Sequence, residues 1–242
     1  MKKIFDSIAS FLKKYNYLVV AGFFLLAFII FTILVKTVDV FYYYNSTYIG
    51  FYHVNSAFGE FVTNFGKYAS MKKASDVLLY VSFGYIFVLF VFALVELIKN
   101  KSFKKLNRNY YLALGGYVSV VFFYLVFEIV KVNYSPDSVV GDLKPSYPST
   151  HVFVGSMFYL ISTYIAMKLL KPEKEWISPL VYMATGIICL LMVFTRALSA
   201  KHWLTDIIAS ILLIISVYTA FIYVYHKLVP EEAKEALESQ KE

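Results

Sequence analysis

The stretch YLVVAGFFLLAFIIFTILV, residues 17–35, decides the structural class of this protein. It contains no charged residue, and a helix of about 20 apolar residues is long enough to cross the ~30 Å hydrocarbon core of a bilayer. A secretion signal has a shorter apolar core followed by a small-residue cleavage site, and this stretch has neither feature. It therefore predicts a retained membrane-spanning helix.

Five further apolar runs of similar length follow the first one. They lie at about 77–98, 110–130, 152–170, 176–195 and 207–226. Hydrophobic residues make up 60% of the chain and charged residues only 16%, which is not the composition of a soluble protein. We predict an all-α polytopic membrane protein with six transmembrane helices. One domain covers residues 1–230, with the first spans at 17–98 and a motif-bearing core at 110–226, and a cytoplasmic tail follows at 231–242.

The distribution of positive charge predicts the orientation of the chain. Six crossings place both termini on one side, and that side holds fifteen of the 23 Lys and Arg residues. Cytoplasmic loops are enriched in these residues, so both termini are predicted to be cytoplasmic in the cell membrane. This bias accounts for the net charge of +7, and no basic face of a soluble domain suggests a nucleic-acid partner.

The long outer segment 36–76 contains a helical pattern of its own. Apolar side chains recur in steps of three and four, which predicts an additional amphipathic helix with one apolar stripe. The stripe consists of Phe51, Val54, Phe58, Phe61, Phe65 and Tyr68. Such a helix either covers the outer end of the bundle or forms a rim that guides a lipid into a site.

A first polar motif stands immediately before the fourth span. It reads Pro148-Ser149-Thr150-His151. Ser149 or Thr150 is a natural helix N-cap, and free backbone N–H groups at a helix N-terminus attract anions such as phosphate. His151 in the first turn is placed to donate a proton to a bound phosphate ester. Taken singly, the motif is also compatible with an ordinary helix cap.

A second polar motif, RALSAKHWLTD at 196–206, connects the fifth and sixth spans. Arg196 offers a planar charged fork suited to phosphate oxygens. If the last helix begins near Lys201, His202 and Asp206 share a helical face, and the carboxylate can orient the imidazole as in nucleophile and base dyads. In isolation, an interfacial Arg and His pointing toward the headgroups explains the motif equally well.

Together the two motifs resemble the type-2 phosphatidate phosphatase superfamily. That family carries Lys-x6-Arg-Pro, then Pro-Ser-Gly-His, then Ser-Arg-x5-His-x3-Asp. The second motif here has Thr150 in place of Gly, and the third begins with Thr195 in place of Ser. The first departs further, because Ser138 stands where Lys131 would require an arginine. Lys144 is a second candidate cation near that position.

The resemblance implies a membrane phosphatase that uses no metal and no cofactor. His202, oriented by Asp206, would attack phosphorus and form a phosphohistidine, while His151 protonates the leaving group. The phosphate-binding residues would be Lys131, Ser149, Thr150, Arg196 and Lys144. The substrate would be a lipid phosphate or diphosphate at the outer face of the membrane, of the phosphatidate, phosphatidylglycerophosphate or polyprenyl (for example undecaprenyl) diphosphate type.

Two other functions remain compatible with the same residues. A lipid phosphotransferase would form the same intermediate and pass the phosphoryl group to a second lipid. A non-catalytic relative would bind lipid without turnover. The single cysteine, Cys189, excludes an intramolecular disulfide and a Cys-rich metal site.

Overall fold

A computed structural model describes residues 2–43, 47–138 and 143–229, and it contains seven α-helices in these ranges. The helices are α1 (Lys2–Thr37), α2 (Tyr52–Phe65), α3 (Tyr68–Asn100), α4 (Arg108–Ile129), α5 (Thr150–Leu170), α6 (Ile177–Ala197) and α7 (Leu204–Leu228). All except α2 contain a segment long and apolar enough to cross a membrane. The all-α, six-span architecture predicted from the sequence is confirmed, and the protein is a multi-pass membrane protein.

The first two spans begin at points that hydropathy did not indicate. α1 has a non-helical backbone at Tyr15, so its spanning part is Tyr15–Thr37. α3 begins at Tyr68, well before the predicted start at residue 77. The charged residues Lys72, Lys73 and Asp76 interrupt the apolar run, but they do not interrupt the backbone hydrogen bonding of a helix. The second span therefore projects charged side chains at its outer end.

Helix α5 lies at the centre of the bundle. It packs against α3, α4, α6 and α7, while α1 packs along α7. Small residues permit the close approach of these helices, as in other membrane proteins. At Gly155, a Cβ atom would come within 2.6 Å of Met192 Cε, and at Gly116 it would come within 3.0 Å of Ile161 Cδ1. The central position of α5 brings its N-terminus into contact with the outer ends of its neighbours.

The outer segment contains a short hairpin that the sequence analysis missed. Strands β1 (Phe41–Tyr43) and β2 (Thr47–Ile49) pair antiparallel between α1 and α2. Gly50 follows the hairpin in a position where a Cβ atom would lie 1.6 Å from the Val35 carbonyl oxygen. Only glycine fits there, so this contact fixes the path of the chain from the end of α1 into α2.

The predicted amphipathic helix is present as α2, but it is shorter than the stripe suggested and its orientation differs. Phe51 precedes the helix and Tyr68 belongs to α3. The buried side chains of α2 are Asn55 and Val62, whereas much of the apolar stripe is exposed. α2 thus covers the outer end of the bundle and presents apolar side chains to its surroundings.

The opposite end of the bundle is closed by α4 and α7. Arg108 donates a hydrogen bond from NH1 to the Leu228 carbonyl oxygen at 2.6 Å, and Tyr225 donates from its hydroxyl to Asn109 Oδ1 at 2.8 Å. The predicted tail at 231–242 lies outside the described residues. The two ends of the bundle therefore differ: one is closed by helix-to-helix hydrogen bonds, and the other collects the polar motifs.

Candidate active site

The N-termini of α5 and α7 are tied together at the outer end of the bundle. Ser149 is the N-cap of α5, and its backbone N–H donates to the Asp206 carbonyl oxygen at 3.2 Å. The Ser149 carbonyl oxygen accepts from Ser210 Oγ at 3.1 Å. These bonds hold the first and second polar motifs side by side, although they are more than forty residues apart in the chain.

His202 is buried in the loop between α6 and α7, and its ring orientation is determined by two acceptors. Nδ1 donates to the Ser146 carbonyl oxygen at 2.9 Å and lies 3.5 Å from Asp206 Oδ2. With the proton held on Nδ1, Nε2 keeps its lone pair, and it has no hydrogen-bond partner in the described part of the chain. This is the ring geometry that a nucleophilic histidine requires.

The surroundings of His202 also keep its imidazole neutral. Burial lowers the pKa of His202 below its ordinary value, and the charge of Arg196 acts in the same direction. Asp206 and the Ser146 carbonyl oxygen oppose this shift by favouring the protonated ring. Because burial dominates, the lone pair of Nε2 is available at neutral pH.

Asp206 is fully buried, and its carboxylate is held by residues other than the histidine alone. Asn133 Nδ2 donates to Oδ1 at 3.2 Å, and the Trp203 backbone N–H donates to Oδ2 at 3.0 Å. The expectation that His202 and Asp206 share a face of the last helix is wrong, because α7 begins at Leu204 and His202 precedes it. The two side chains meet through the N-terminal turn of α7.

His151, Arg196 and a third residue that the sequence analysis missed form the other half of the cluster. Asp76 on α3 lies between them, with Oδ1 3.0 Å from His151 Nε2 and 3.5 Å from Arg196 NH1. Lys72, one turn earlier, contacts Asp76 Oδ2 at 2.7 Å. The spacing of Lys72 and Asp76 and the cost of a carboxylate at membrane depth were the available signals for this residue.

Several buried donors in this cluster have no partner within the described ranges. They are Arg196 Nε, Ser149 Oγ and Ser146 Oγ. Buried polar groups are normally hydrogen-bonded, so unpaired donors around two histidines suit a ligand rich in acceptor oxygens. Ser149 makes no capping bond with its side chain, and its hydroxyl and the first backbone N–H groups of α5, starting at Thr150, both remain available to an anion.

The region of the degenerate first motif is packed differently from the two histidine motifs. The Lys131 side chain is exposed, and the Lys131 backbone oxygen accepts from the Tyr48 hydroxyl at 3.3 Å. Lys144 is exposed, and its carbonyl oxygen accepts from the Ser135 N–H at 2.9 Å. The described contacts therefore do not bring these two lysines into the cluster of His151 and His202.

Ser135 and Asp137 connect this region to the loop that carries His202. Ser135 Oγ donates to the Lys201 carbonyl oxygen at 2.8 Å, and Asp137 forms an ion pair with Lys201. Burial would raise the pKa of Asp137, but the hydrogen bonds from Lys201 and Ser135 hold it below its ordinary value. An ionised Asp137 thus fixes the position of the residue that precedes His202.

A cavity of about 280 Å³ reaches His202 from the outer face. It lies between α2, the segment that contains Pro136, and the loop from Ala200 to Trp203. Gly59 of α2 faces Trp203 across this space, where a Cβ atom would be 3.4 Å from the indole ring. α2 therefore forms one wall of the route to His202. No group of three or more His, Cys, Asp or Glu residues within the described ranges is arranged to hold a metal ion.

Comparison with known proteins identifies the family. The family model described as the PAP2 superfamily matches residues 81–230. This chain belongs to the PAP2 superfamily. The PAP2 match includes His151, Arg196, His202 and Asp206, whereas Lys72 and Asp76 lie outside it.

A solved PAP2 structure has the same fold. The crystal structure of the first transmembrane PAP2 type phosphatidylglycerolphosphate phosphatase, from Bacillus subtilis, aligns with a TM-score of 0.61. The alignment covers 86% of this chain and 96% of that chain at 15% sequence identity. A search of curated proteins returned no match.

Proposed function

We propose that this protein is a membrane phosphatase that hydrolyses the phosphate ester or diphosphate of a lipid through a phosphohistidine on His202. Membership of the PAP2 superfamily supports a phosphatase. The single observation that supports the mechanism best is the geometry of His202, whose Nδ1 is held by Ser146 O and Asp206 and whose Nε2 is unpartnered.

The proposed reaction has two steps. Nε2 of His202 forms a bond to phosphorus as the bond from phosphorus to the leaving oxygen breaks, and His151 gives that oxygen a proton. A water molecule then attacks the phosphohistidine, His151 takes the proton of the water, and the P–N bond breaks to release inorganic phosphate. Arg196 and Ser149 donate to the phosphoryl oxygens, where charge accumulates in both transition states.

The position of the cluster supports a lipid as the substrate. His151 and Arg196 lie at the ends of the membrane-spanning segments Thr150–Leu170 and Ile177–Ala197. A phosphate headgroup at the membrane surface reaches this depth without leaving the bilayer. The exposed apolar side chains of α2, among them Val54 and Phe61, flank the route to His202 and suit contact with acyl or prenyl chains.

The test is a substrate panel with purified protein in detergent micelles. Phosphatidate, phosphatidylglycerophosphate and a polyprenyl diphosphate are supplied with a metal chelator present, and released phosphate is measured. We expect release from at least one substrate, and we expect His202→Ala to abolish it. Loss of His151 should cost about 10²- to 10⁴-fold, the usual contribution of a general acid.

Three outcomes would contradict the proposal in different ways. Absence of release from every substrate, with His202→Ala indistinguishable from the parent, would leave a lipid-binding protein. Release that requires an added divalent metal would contradict the metal-independent mechanism. Appearance of labelled phosphate in a second lipid and not in water would identify a phosphotransferase.

A further inference from the structure

Two histidines of the cluster each contact a carboxylate, but only one of these pairs belongs to the sequence motifs. His202 lies beside Asp206 of the same motif. His151 lies 3.0 Å, through Nε2, from Asp76 of α3, a residue outside the matched family region. The structure therefore contains a second histidine–carboxylate pair that the motifs do not describe.

The two pairs hold opposite nitrogens of their rings. In His202 the partners fix the proton on Nδ1 and leave Nε2 unpartnered. In His151 the Asp76 carboxylate accepts from Nε2, so a neutral His151 ring keeps its lone pair on Nδ1. Nδ1 of His151 has no partner in the described part of the chain. One ring thus offers Nε2 to a substrate, and the other offers Nδ1.

The charges around His151 explain why it needs a carboxylate. Arg196 approaches from α6 and His202 from the loop that precedes α7, and each positive charge disfavours a protonated His151. Asp76 is the one carboxylate that contacts His151 within the described ranges, and Lys72 holds its second oxygen at 2.7 Å. Without Asp76, a proton on His151 would face Arg196 with no neutralising partner.

We propose that Asp76 is a positioning residue that holds His151 in the protonated form and in the ring orientation needed to protonate the leaving group. This inference rests on the proposed phosphatase function. The imidazolium loses its Nδ1 proton to the leaving oxygen as that oxygen departs from phosphorus, and the Nε2–H bond to Asp76 is retained. In the second step Nδ1 recovers a proton from the attacking water, which restores the starting state.

The sharpest test uses two substrates whose leaving groups differ in their need for a proton. An alkoxide such as that of diacylglycerol leaves poorly unless it is protonated, whereas nitrophenolate leaves readily without a proton. We expect Asp76→Asn to lower turnover of phosphatidate by about 10- to 100-fold, part of the ~10²- to 10⁴-fold that a general acid supplies. Turnover of nitrophenyl phosphate should be nearly unchanged, which also shows that the variant folds.

A second measurement is the pH profile with phosphatidate. Loss of the carboxylate removes the charge that favours protonated His151, so the limb at which activity falls with rising pH should move to lower pH in Asp76→Asn. Asp76→Glu, which keeps the charge, should restore part of the rate. This measurement remains available if nitrophenyl phosphate proves too small to bind.

Asp39→Asn is the matched control. Asp39 is also an outer carboxylate paired with a histidine, since Oδ1 lies 2.7 Å from His53 Nδ1, but His53 is exposed and the pair does not contact the cluster. We expect this variant to behave like the parent with both substrates.

Several results would overturn the inference. Equal losses with both substrates and an unchanged pH profile would assign Asp76 a structural role only. An unchanged or increased rate in Asp76→Asn would show that the carboxylate competes with phosphate for Arg196. If the parent protein turned over no substrate, the proposed phosphatase function would fail, and the inference would fail with it.

Discussion

At the residue scale, the reactivity of the cluster depends on the environment of His202. Burial and the neighbouring Arg196 lower the pKa of this imidazole, while Asp206 raises it. The ring is therefore neutral under conditions in which an exposed histidine, with an ordinary pKa of about 6.5, would be partly protonated. A neutral ring is a nucleophile, and a protonated ring is not.

Replacement of Asp206 by Asn tests this balance. The variant removes the charge that favours protonated His202, so the acid limb of kcat/KM should move to lower pH than in the parent. The rate at the optimum should also fall, because the amide cannot stabilise the positive charge that His202 acquires as it attacks phosphorus. Both quantities are read from pH–rate profiles with phosphatidate.

The direction of the shift distinguishes this account from a general loss of structure. A movement of the acid limb to higher pH would contradict the role given to Asp206. Asp39→Asn again serves as the comparison, because it removes one carboxylate from the same side of the membrane without contacting His202.

At the element scale, α2 is attached to the bundle by a polar contact. Asn55 is fully buried and donates from Nδ2 to Thr205 Oγ1 at 2.9 Å and to the Gly50 carbonyl oxygen at 2.7 Å. The Thr205 backbone N–H donates to Asn55 Oδ1 at 3.3 Å. Since Thr205 lies in the first turn of α7, the attachment of α2 also supports the turn that holds Asp206.

Asn55→Ala should therefore destabilise the protein and reduce its activity. The change leaves buried hydrogen-bonding groups of Gly50 and Thr205 without this partner, which costs about 1–3 kcal/mol. We expect a lower thermal midpoint in detergent and a lower rate of phosphate release. Asn64→Ala is the control, because Asn64 lies on the same helix and is exposed. Equal effects of the two substitutions would show that the buried contact contributes nothing specific.

At the scale of the whole molecule, the polar cluster and the loops richest in Lys and Arg lie at opposite ends of the bundle. The cluster is built from the start of α3, the starts of α5 and α7 and the end of α6. The segment between α3 and α4, by contrast, contains Lys101, Lys104 and Lys105. The positive-inside rule then predicts that the cluster faces outward.

Cysteine labelling tests this orientation. In a Cys189→Ala background, which removes the one native thiol, cysteines are introduced at Glu60 of α2 and at Lys101 between α3 and α4. Both positions are exposed. A membrane-impermeant maleimide applied to sealed cells should label Glu60→Cys, and it should label Lys101→Cys only after permeabilisation. The reverse pattern would place the cluster on the cytoplasmic side.

Much of the architecture could be predicted because it depends on local properties of the chain. A spanning helix satisfies its backbone hydrogen bonds internally, so each apolar run could be assigned without knowledge of its neighbours. His151, Arg196, His202 and Asp206 were found for a similar reason, since each lies in a short motif beside the end of a span. The start of α3 was misplaced because hydropathy reports where charge begins, not where a helix ends.

The sequence by itself thus determined the membrane class, the number of spans and the two histidine motifs. Only the tertiary structure decided which groups complete the cluster. Asp76 and Asn133 reach His151 and Asp206 across 75 and 73 positions of the chain, and no local pattern encodes contacts of that range. The orientation of α2 was likewise decided by its buried Asn55 and not by its apolar stripe. A periodic pattern shows which side chains share a face, but the packing of distant helices decides which face is buried.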